Sequence, residues 1–487
     1  MLKNEKSIWY AAFKAKDTRF DGRFFVGVSS TGIYCRPVCR ARLPKAENCT
    51  FYSTAAAAEQ AGFRPCLLCR PELAPGVSRM DASTSLAHRA ARLFEENCGS
   101  EHNIETFASR LGCTDRHLRR VFTAQYNVTP IQYLQTCRLL LAKNLLTDTD
   151  LSVLDVAMTA GFGSLRRFND LFRKHYRLAP TALRRQAGGV AGQSNSVTLT
   201  LGYRPPYQWQ QMMDFLAKRA VPGVETVSNG AYLRTVHLVS KDQKNVYGWI
   251  QVAHCPQNNA LAVTIDSALL PVLLHVLARV RCLFDVACDP DAVYETLDSM
   301  NSIRPGLCVR GVRLPGSFDA FEMSVRAVLG QQVTVKAATT LAARLAAAYG
   351  TPVATGVQGL THTFPTPDGI LALGGRIGNH LGPLGITSKR ANAILELARA
   401  FVHKDIDFNV CAQPETVVEK LMDIPGVGMW TAQYIVMRAA GWPDAFPYTD
   451  DGVKKALAPR TLKEIQALAE VWRPWRSYAT VNLWNSL

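Results

Sequence analysis

The sequence predicts a multidomain α+β chain of four units, and three observations lead there. Two close thiol pairs, Cys35/Cys39 and Cys66/Cys69, mark a small four-cysteine zinc domain at residues 1–78. A self-repeating helical stretch marks an all-α tandem helix-turn-helix domain at 79–187. Alternating apolar residues over 196–285 predict a small mixed α/β domain with an antiparallel sheet, and an almost wholly helical pattern predicts an all-α domain over 286–487. The breaks between them are Glu72–Ser78, the Gly/Ser-rich Ala187–Ser196 of flexible-linker composition, and a weaker junction near Asp285–Asp291.

At 487 residues the chain is too long for one core, which stops growing near ~250–300 residues. No run reaches the roughly 18–20 apolar residues that cross a bilayer, and the start lacks a signal-peptide pattern. The expectation is a cytoplasmic, nucleoid-associated protein without a membrane partner. The net charge of +16 is uneven: residues 1–190 carry 28 basic and 16 acidic side chains, the remainder 27 and 23. A basic half suits a polyanion, since Lys and Arg on phosphates release counterions; a solvated basic surface is the plainer reading.

Cys35-x3-Cys39 and Cys66-x2-Cys69 suit a tetrahedral thiolate site, and an odd total of thirteen cysteines without a secretion signal favours reduced thiols. Such a zinc can be purely structural. Yet four thiolates give Zn²⁺ two excess negative charges, and a coordinated sulfur can stay nucleophilic toward a methyl group. Cys98, Cys113, Cys137, Cys255 and Cys282 sit in apolar patterns and are expected to be buried packing residues.

In the second unit Leu118, Phe122, Tyr126 and Pro130 recur as Phe168, Phe172, Tyr176 and Pro180, 50 residues on. Ala108 and Gly112 recur as Ala157 and Gly161, and each copy reads helix, glycine turn, polar N-cap (Thr114, Ser164), helix. The second helices carry Arg116, His117, Arg119 and Arg120, then Arg166, Arg167, Arg173 and Lys174. An ordinary bundle with basic faces stays open, but the repeat with basic second helices favours reading of DNA. In the third unit Val197–Leu201, Tyr232–Val239, Val246–Val252 and Leu261–Ile265 read as strands and Tyr207–Arg219 as a helix.

Leu421–Ala432 reads helix, Pro-Gly-Val-Gly turn, helix; its glycines, Gly426 and Gly428, let backbone approach a phosphate. Asp450 follows eighteen residues after Ala432 and could simply cap the helix beginning near Gly452.

Thr31-Gly-Ile-Tyr-Cys-Arg-Pro-Val-Cys-Arg-Ala-Arg42, Glu47-Asn48 and Ala61-Gly-Phe-Arg-Pro-Cys-Leu-Leu-Cys69 resemble the zinc domain of the Ada family, and the repeat resembles the AraC-type domain that Ada also carries. The likeness covers about residues 5–187. It implies that Cys35 accepts a methyl from a DNA methylphosphotriester, irreversibly and stoichiometrically, with Cys39, Cys66 and Cys69 completing the zinc shell. Losing a thiolate charge that faces phosphates would raise DNA affinity and let the protein regulate transcription. Arg36, Arg40, Arg42 and Lys45 fit phosphate contacts. The Pro-Cys-His-Arg site of a second Ada alkyl-transfer domain is missing.

The hairpin with Asp450, together with Leu201–Trp209, Phe215–Ala220, Val325–Gln331 and Trp472–Ala479, resembles the helix-hairpin-helix DNA glycosylase superfamily, and within it the AlkA-like 3-methyladenine DNA glycosylase II family. The family's motif places the catalytic aspartate four residues before a basic residue, which selects Asp450 before Lys454 and leaves Asp451 as a neighbour. The resemblance implies hydrolysis of the N-glycosidic bond of alkylated bases of the 3-methyladenine and 7-methylguanine type, as a first step of base excision repair. A carboxylate stabilises the oxocarbenium-like sugar, the base is flipped out, and aromatic faces favour its cation. Trp430, Tyr434, Trp484 and Phe215 match the family's base pocket, though all four could equally be core. Relatives that also cut the strand carry Lys where Trp430 stands, so a monofunctional hydrolase is expected. Gln332 stands at the family's apolar wedge position, on the DNA side, and Asp451 and Asn485 replace pocket tyrosines. Main-chain carbonyls of Met422, Ile424 and Val427 would hold a monovalent cation, as the family's do. The implied partners are alkylated and promoter duplex DNA and RNA polymerase, with the protein a monomer. Two alternatives stay open: a transcription regulator whose C-terminal half is a non-catalytic DNA-binding scaffold, and a zinc-stabilised structural protein with an inert Cys35.

Overall fold

The structure is a computed structural model describing residues 3–76, 85–99, 103–186, 195–240, 242–406, 408 and 413–487. Most of the Gly/Ser-rich stretch 187–196 and the end of the 72–78 break lie outside the described residues. The chain forms two compact units, residues 1–205 with 255–276, and residues 206–254 with 277–487. No helix among the described residues is long and apolar enough to cross a membrane.

The first unit opens with α1 (Lys3–Ala15), then β1 (Phe25–Val28), β2 (Ile33–Cys35), β3 (Cys49–Tyr52), α2 (Ala55–Gln60) and β4 (Arg64–Pro65). The sheet order is β3-β1-β2-β4, with β2 and β4 parallel. Sequence reasoning missed this sheet. Its strands are two to four residues long, too short for apolar alternation to show. Phe24 stacks on Trp9 at 5.1 Å and, with Phe51, packs against the cysteine cluster.

Next come α3 (Leu86–Asn97), α4 (Ile104–Arg110), α5 (Asp115–Tyr126), α6 (Pro130–Asp148), α7 (Val153–Thr159), α8 (Leu165–Tyr176) and α9 (Pro180–Gln186). The repeat is therefore α4-turn-α5 and α7-turn-α8. Gly112 and Gly161 make the turns at φ +69° and +83°, a region that favours glycine. The Thr114 and Ser164 hydroxyls accept amide hydrogens from His117 and Arg167, capping α5 and α8. Leu118, Phe122 and Tyr126 on α5, and Phe168, Phe172 and Tyr176 on α8, are buried on one face. Arg116, Arg166 and Arg167 are exposed, whereas Arg119 is paired with Asp115 at 2.9 Å.

The zinc module is joined to α6 by buried polar contacts. Glu59 accepts from Tyr34 at 3.0 Å and from Thr136 at 2.9 Å. Lys143 Nζ sits 2.6 Å from Glu72, both side chains almost fully buried.

Further along lie β5 (Ser196–Gly202), α10 (Trp209–Ala217), β6 (Glu225–Ser228), β7 (Ala231–Val239), β8 (Asn245–Cys255) and β9 (Ala260–Asp266). In the first unit β5 pairs antiparallel with β9, Val197 opposite Ile265. In the second, β6, β7 and β8 form an antiparallel meander with Leu233 opposite Thr226 and Gln251. The four expected strands form with slightly wider bounds, the helix is shorter than Tyr207–Arg219, and β6 was not anticipated.

The remainder is helical: α11 (Leu273–Leu283), α12 (Pro290–Leu297), α13 (Ala320–Leu329), α14 (Val335–Tyr349), α15 (Pro367–Leu371), α16 (Ile377–Leu381), α17 (Ser388–Val402), α18 (Pro414–Met422), α19 (Met429–Ile435), α20 (Asp451–Leu457), α21 (Leu462–Ala469) and α22 (Arg476–Asn485). Buried Glu225 on β6, held by Arg234 on β7 and by Arg326 on α13 at 3.0 Å, ties the meander to this helical body.

The cysteines need one correction. Cys98 is buried, but Cys113, Cys137, Cys255 and Cys282 are only partly so. Cys113 follows a turn glycine, and Cys255 and Cys282 lie at element ends, where a one-sided apolar pattern does not guarantee burial.

Substituting Glu72→Ala strands the buried Lys143 charge and should destabilise the first unit by about 3–5 kcal/mol in urea unfolding. Arg119→Ala, which removes a half-exposed pair on one helix, should cost no more than about 1 kcal/mol.

Candidate metal centre and active site

Register brings the four cysteines together. Tyr34 lies opposite Pro65 in the parallel β2–β4 pair, so Cys35 and Cys66 are the next residues on adjacent strands, and the Cys66 amide donates to Tyr34 O at 3.0 Å. A tight turn, with the Cys39 amide on Arg36 O at 3.1 Å, returns Cys39 to the site, and Leu67 and Leu68 form the exposed tip of the knuckle leading to Cys69. All four sulfurs lie within 4.8 Å of one another. An all-thiolate donor set in so small a volume fits tetrahedral Zn²⁺.

Arg36 does not behave as expected. Its guanidinium is buried on the Asp21 carboxylate (Nε to Oδ1 2.8 Å), donates to Cys69 O at 3.1 Å, and its amide donates to Cys69 Sγ at 3.3 Å. It braces the zinc site, which commits three of its five N–H donors within the protein. Asp21, fifteen residues earlier, was the invisible partner. Arg40, Arg42 and Lys45 are exposed beside the site.

In the second unit, the hairpin between α18 and α19 turns at Gly426, φ +93°. Gln331 Nε2 donates to Gly426 O at 2.8 Å and to Thr431 Oγ1 at 3.0 Å, locking the turn against the end of α13, and Arg390 donates to Gln331 O. Neighbouring Gln332 is exposed at φ +53°. Gly428 is the N-cap of α19.

Trp430 and Tyr434 are one turn apart on α19, ring centroids 5.4 Å apart and nearly parallel at 5°. Trp484 on α22 lies 6.1 Å from Tyr434, and Phe215 on α10 stacks on Trp484 at 6.0 Å. The four residues expected in the pocket therefore form one aromatic cluster, of which only Phe215 is fully buried.

Asp450 caps a helix and also lies against the aromatic cluster. As N-cap of α20, its Oδ1 accepts from the amides of Gly452 (2.8 Å) and Val453 (3.2 Å). The same carboxylate accepts the indole N–H of Trp484 on Oδ1 at 2.8 Å and of Trp430 on Oδ2 at 3.0 Å. Gly452 permits this approach: a Cβ there would lie 2.7 Å from the Trp484 ring. Asp451 is exposed and pairs with Lys454 at 2.6 Å.

Behind the cluster lies a group with no sequence signal. The chain continues from α19 into a π-helical turn, Val436–Ala440, a type of distortion frequent at functional sites. There Arg438, buried, donates to Tyr434 Oη at 2.9 Å and to the carbonyls of Pro315 and Gly316, and lies 4.8 Å over the Phe215 ring. Arg219, inside the Phe215–Ala220 motif, lies 3.8 Å over Phe215 and 5.9 Å over Trp484. Burial alone would raise the Tyr434 phenol, but the charges of Arg438, Arg219 and Arg326 outweigh it and hold the phenol below its usual value.

Four family profiles match consecutive stretches: the metal binding domain of Ada (residues 8–72), a helix-turn-helix domain (107–186), the AlkA N-terminal domain (198–319), and the HhH-GPD superfamily base excision DNA repair protein (325–471). A Mycobacterium tuberculosis protein described as "Probable bifunctional transcriptional activator/DNA repair enzyme AlkA" is 37% identical over 487 residues, covering 98% of this chain and 96% of its own. The chain belongs to this bifunctional AlkA family. Within the family architecture, its second half is 36% identical over 285 residues to Escherichia coli DNA-3-methyladenine glycosylase 2, covering 58% of this chain and 96% of that one. The Escherichia coli bifunctional activator/repair enzyme Ada is 40% identical over 125 residues, 26% of this chain and 34% of its own.

Removing the brace by Arg36→Ala should speed zinc loss to a chelator at least several-fold, whereas Arg40→Ala should leave zinc retention unchanged. Metal release followed with a chromogenic chelator checks both.

Proposed function

We propose that this bifunctional AlkA family member is a two-headed response protein to DNA alkylation, with the four modules of the sequence reading. Its zinc module accepts methyl groups from DNA methylphosphotriesters and so controls promoter binding by the tandem helix-turn-helix. Its C-terminal half releases alkylated bases as a monofunctional glycosylase. The observation that carries the second activity is the Asp450 carboxylate, gripped by two indoles inside an aromatic cluster.

Among the described residues Oδ1 takes three donors and Oδ2 takes the Trp430 N–H, so Oδ2 is the oxygen with electron pairs left to face a sugar. As the bond from C1′ to the base nitrogen stretches, its electrons leave with the base and positive charge grows on the sugar. A carboxylate already held in place stabilises that charge without reorganising. A base methylated on a ring nitrogen is cationic and departs neutral, so no general acid is required. Water then adds to C1′ and loses a proton. The rings of Trp430 and Trp484 offer the π-faces that favour the cation.

In the zinc module, a bound Zn²⁺ would keep the four sulfurs deprotonated. Cys35 Sγ attacks the methyl carbon, the S–C bond forms, and the C–O bond breaks to leave a phosphodiester anion. The new thioether removes one negative charge next to exposed Arg40, Arg42 and Lys45, which favours phosphate binding. The exposed Arg116, Arg166 and Arg167 would face promoter DNA, and Gly426, Gly428 and Gln332 damaged duplex. RNA polymerase as partner, a monomeric state, and a monovalent cation on the carbonyls of Met422, Ile424 and Val427 belong to the same reading; the Ile424 carbonyl already accepts the Val427 amide at 3.0 Å.

Asp450→Asn keeps a capping oxygen, so thermal melting should shift by only a few degrees, while 3-methyladenine release from methylated duplex falls at least ~100-fold, the usual worth of a key electrostatic group. Unchanged release would remove the catalytic assignment. After incubation with methylphosphotriester DNA, peptide mass spectrometry should place one methyl group on Cys35; a label on another cysteine, or none, would defeat the sensor assignment.

A further inference from the structure

The aromatic cluster and the two arginines behind it contain an asymmetry that the hydrolytic chemistry does not use. A guanidinium has five donors and no acceptor, so the hydrogen bond from Arg438 to Tyr434 must end on a lone pair of the phenol oxygen. Arg438 cannot swing away easily, because its other nitrogens are held by the carbonyls of Pro315 and Gly316. The Tyr434 proton is therefore turned away from Arg438, toward whatever enters beside the ring. The region is also electropositive, since Arg438 and Arg219 both lie over the Phe215 face.

Position along the helix adds direction. Trp430, Tyr434 and Arg438 follow one another at four-residue intervals, about 6 Å per step. Asp450 is bonded to Trp430, at the first of these steps, so the carboxylate and the guanidinium mark opposite ends of one face. With the sugar carbon at Asp450, the purine edge farthest from the sugar, the one bearing the 6-substituent, points toward the phenol. In guanine that substituent is a carbonyl oxygen; in adenine it is an amino group with hydrogens to donate.

We propose that Tyr434, its hydroxyl oriented by Arg438, donates a hydrogen bond to the 6-carbonyl of flipped methylated guanines, making it a specificity-determining residue that favours them over the corresponding adenines. Arg438 acts through it as a positioning residue. The inference rests on the glycosylase reading above and adds to it which methylpurine the pocket prefers.

Duplex DNA treated with a methylating agent presents the 3-methyl and 7-methyl forms of both purines in one tube. Liquid chromatography with mass detection of the released bases then gives guanine-to-adenine ratios at each methyl position. In Tyr434→Phe both ratios should fall about fivefold to tenfold, the worth of one hydrogen bond. Arg438→Gln provides an amide oxygen that accepts the phenol proton, and should lower the ratios with Tyr434 intact. Arg438→Lys, a donor only, should preserve them. Equal loss of all four bases in Tyr434→Phe, or unchanged ratios, would overturn the proposal. So would ratios preserved in a folded Arg438→Gln; if its circular dichroism shows it unfolded, the Tyr434→Phe ratios alone decide. A wild-type protein that releases no methylpurine would instead defeat the glycosylase reading itself.

Discussion

The second unit depends on one carboxylate shared by a helix terminus and two indoles. Asp450 caps α20, and the same oxygens receive Trp430 from α19 and Trp484 from α22. Four donors on one half-buried carboxylate fix its position, the preorganisation that the proposed stabilisation of a nascent cation calls for. The constraint spreads outward. Gly452 must be glycine for Trp484 to reach the cap, and Gln331 must hold the hairpin for Trp430 to start its helix in the right place. The helix cap and the grip on both indoles are thus one arrangement.

The first unit has a parallel logic built on sulfur. A three-residue strand and a two-residue strand fix Cys35 beside Cys66, and Arg36, anchored on Asp21, fixes Cys69. Buried Glu59 and Glu72 then join this module to α6, so the cysteine module and the helix-turn-helix repeat share an interior. In both units a buried ionic group also does structural work, and that leaves little freedom to alter either site alone.

Much of this could be read from residues alone. The helix-turn-helix repeat showed because its apolar residues recur at helical spacing over whole helices, and the cysteine pairs because metal geometry demands short spacings. Asp450 was selected by its register with Lys454, and the four aromatic residues by motif. What stayed hidden depends on partners distant in sequence. The strands of the zinc module are too short to alternate. The bracing role of Arg36 was hidden because Asp21 lies fifteen residues away, and Arg438 belongs to no motif yet touches Phe215, Tyr434 and two carbonyls. Charge alone could not tell a DNA-facing arginine from a brace.

The central claim, that one carboxylate holds both indoles, can be tested without substrate. In protein labelled with ¹⁵N-tryptophan, the indole N–H signals of Trp430 and Trp484 should both lie downfield, as hydrogen bonds to a carboxylate require. Both should move upfield in Asp450→Asn and stay in place in Asp451→Asn. Indole signals that ignore Asp450→Asn, or only one that responds, would contradict the account.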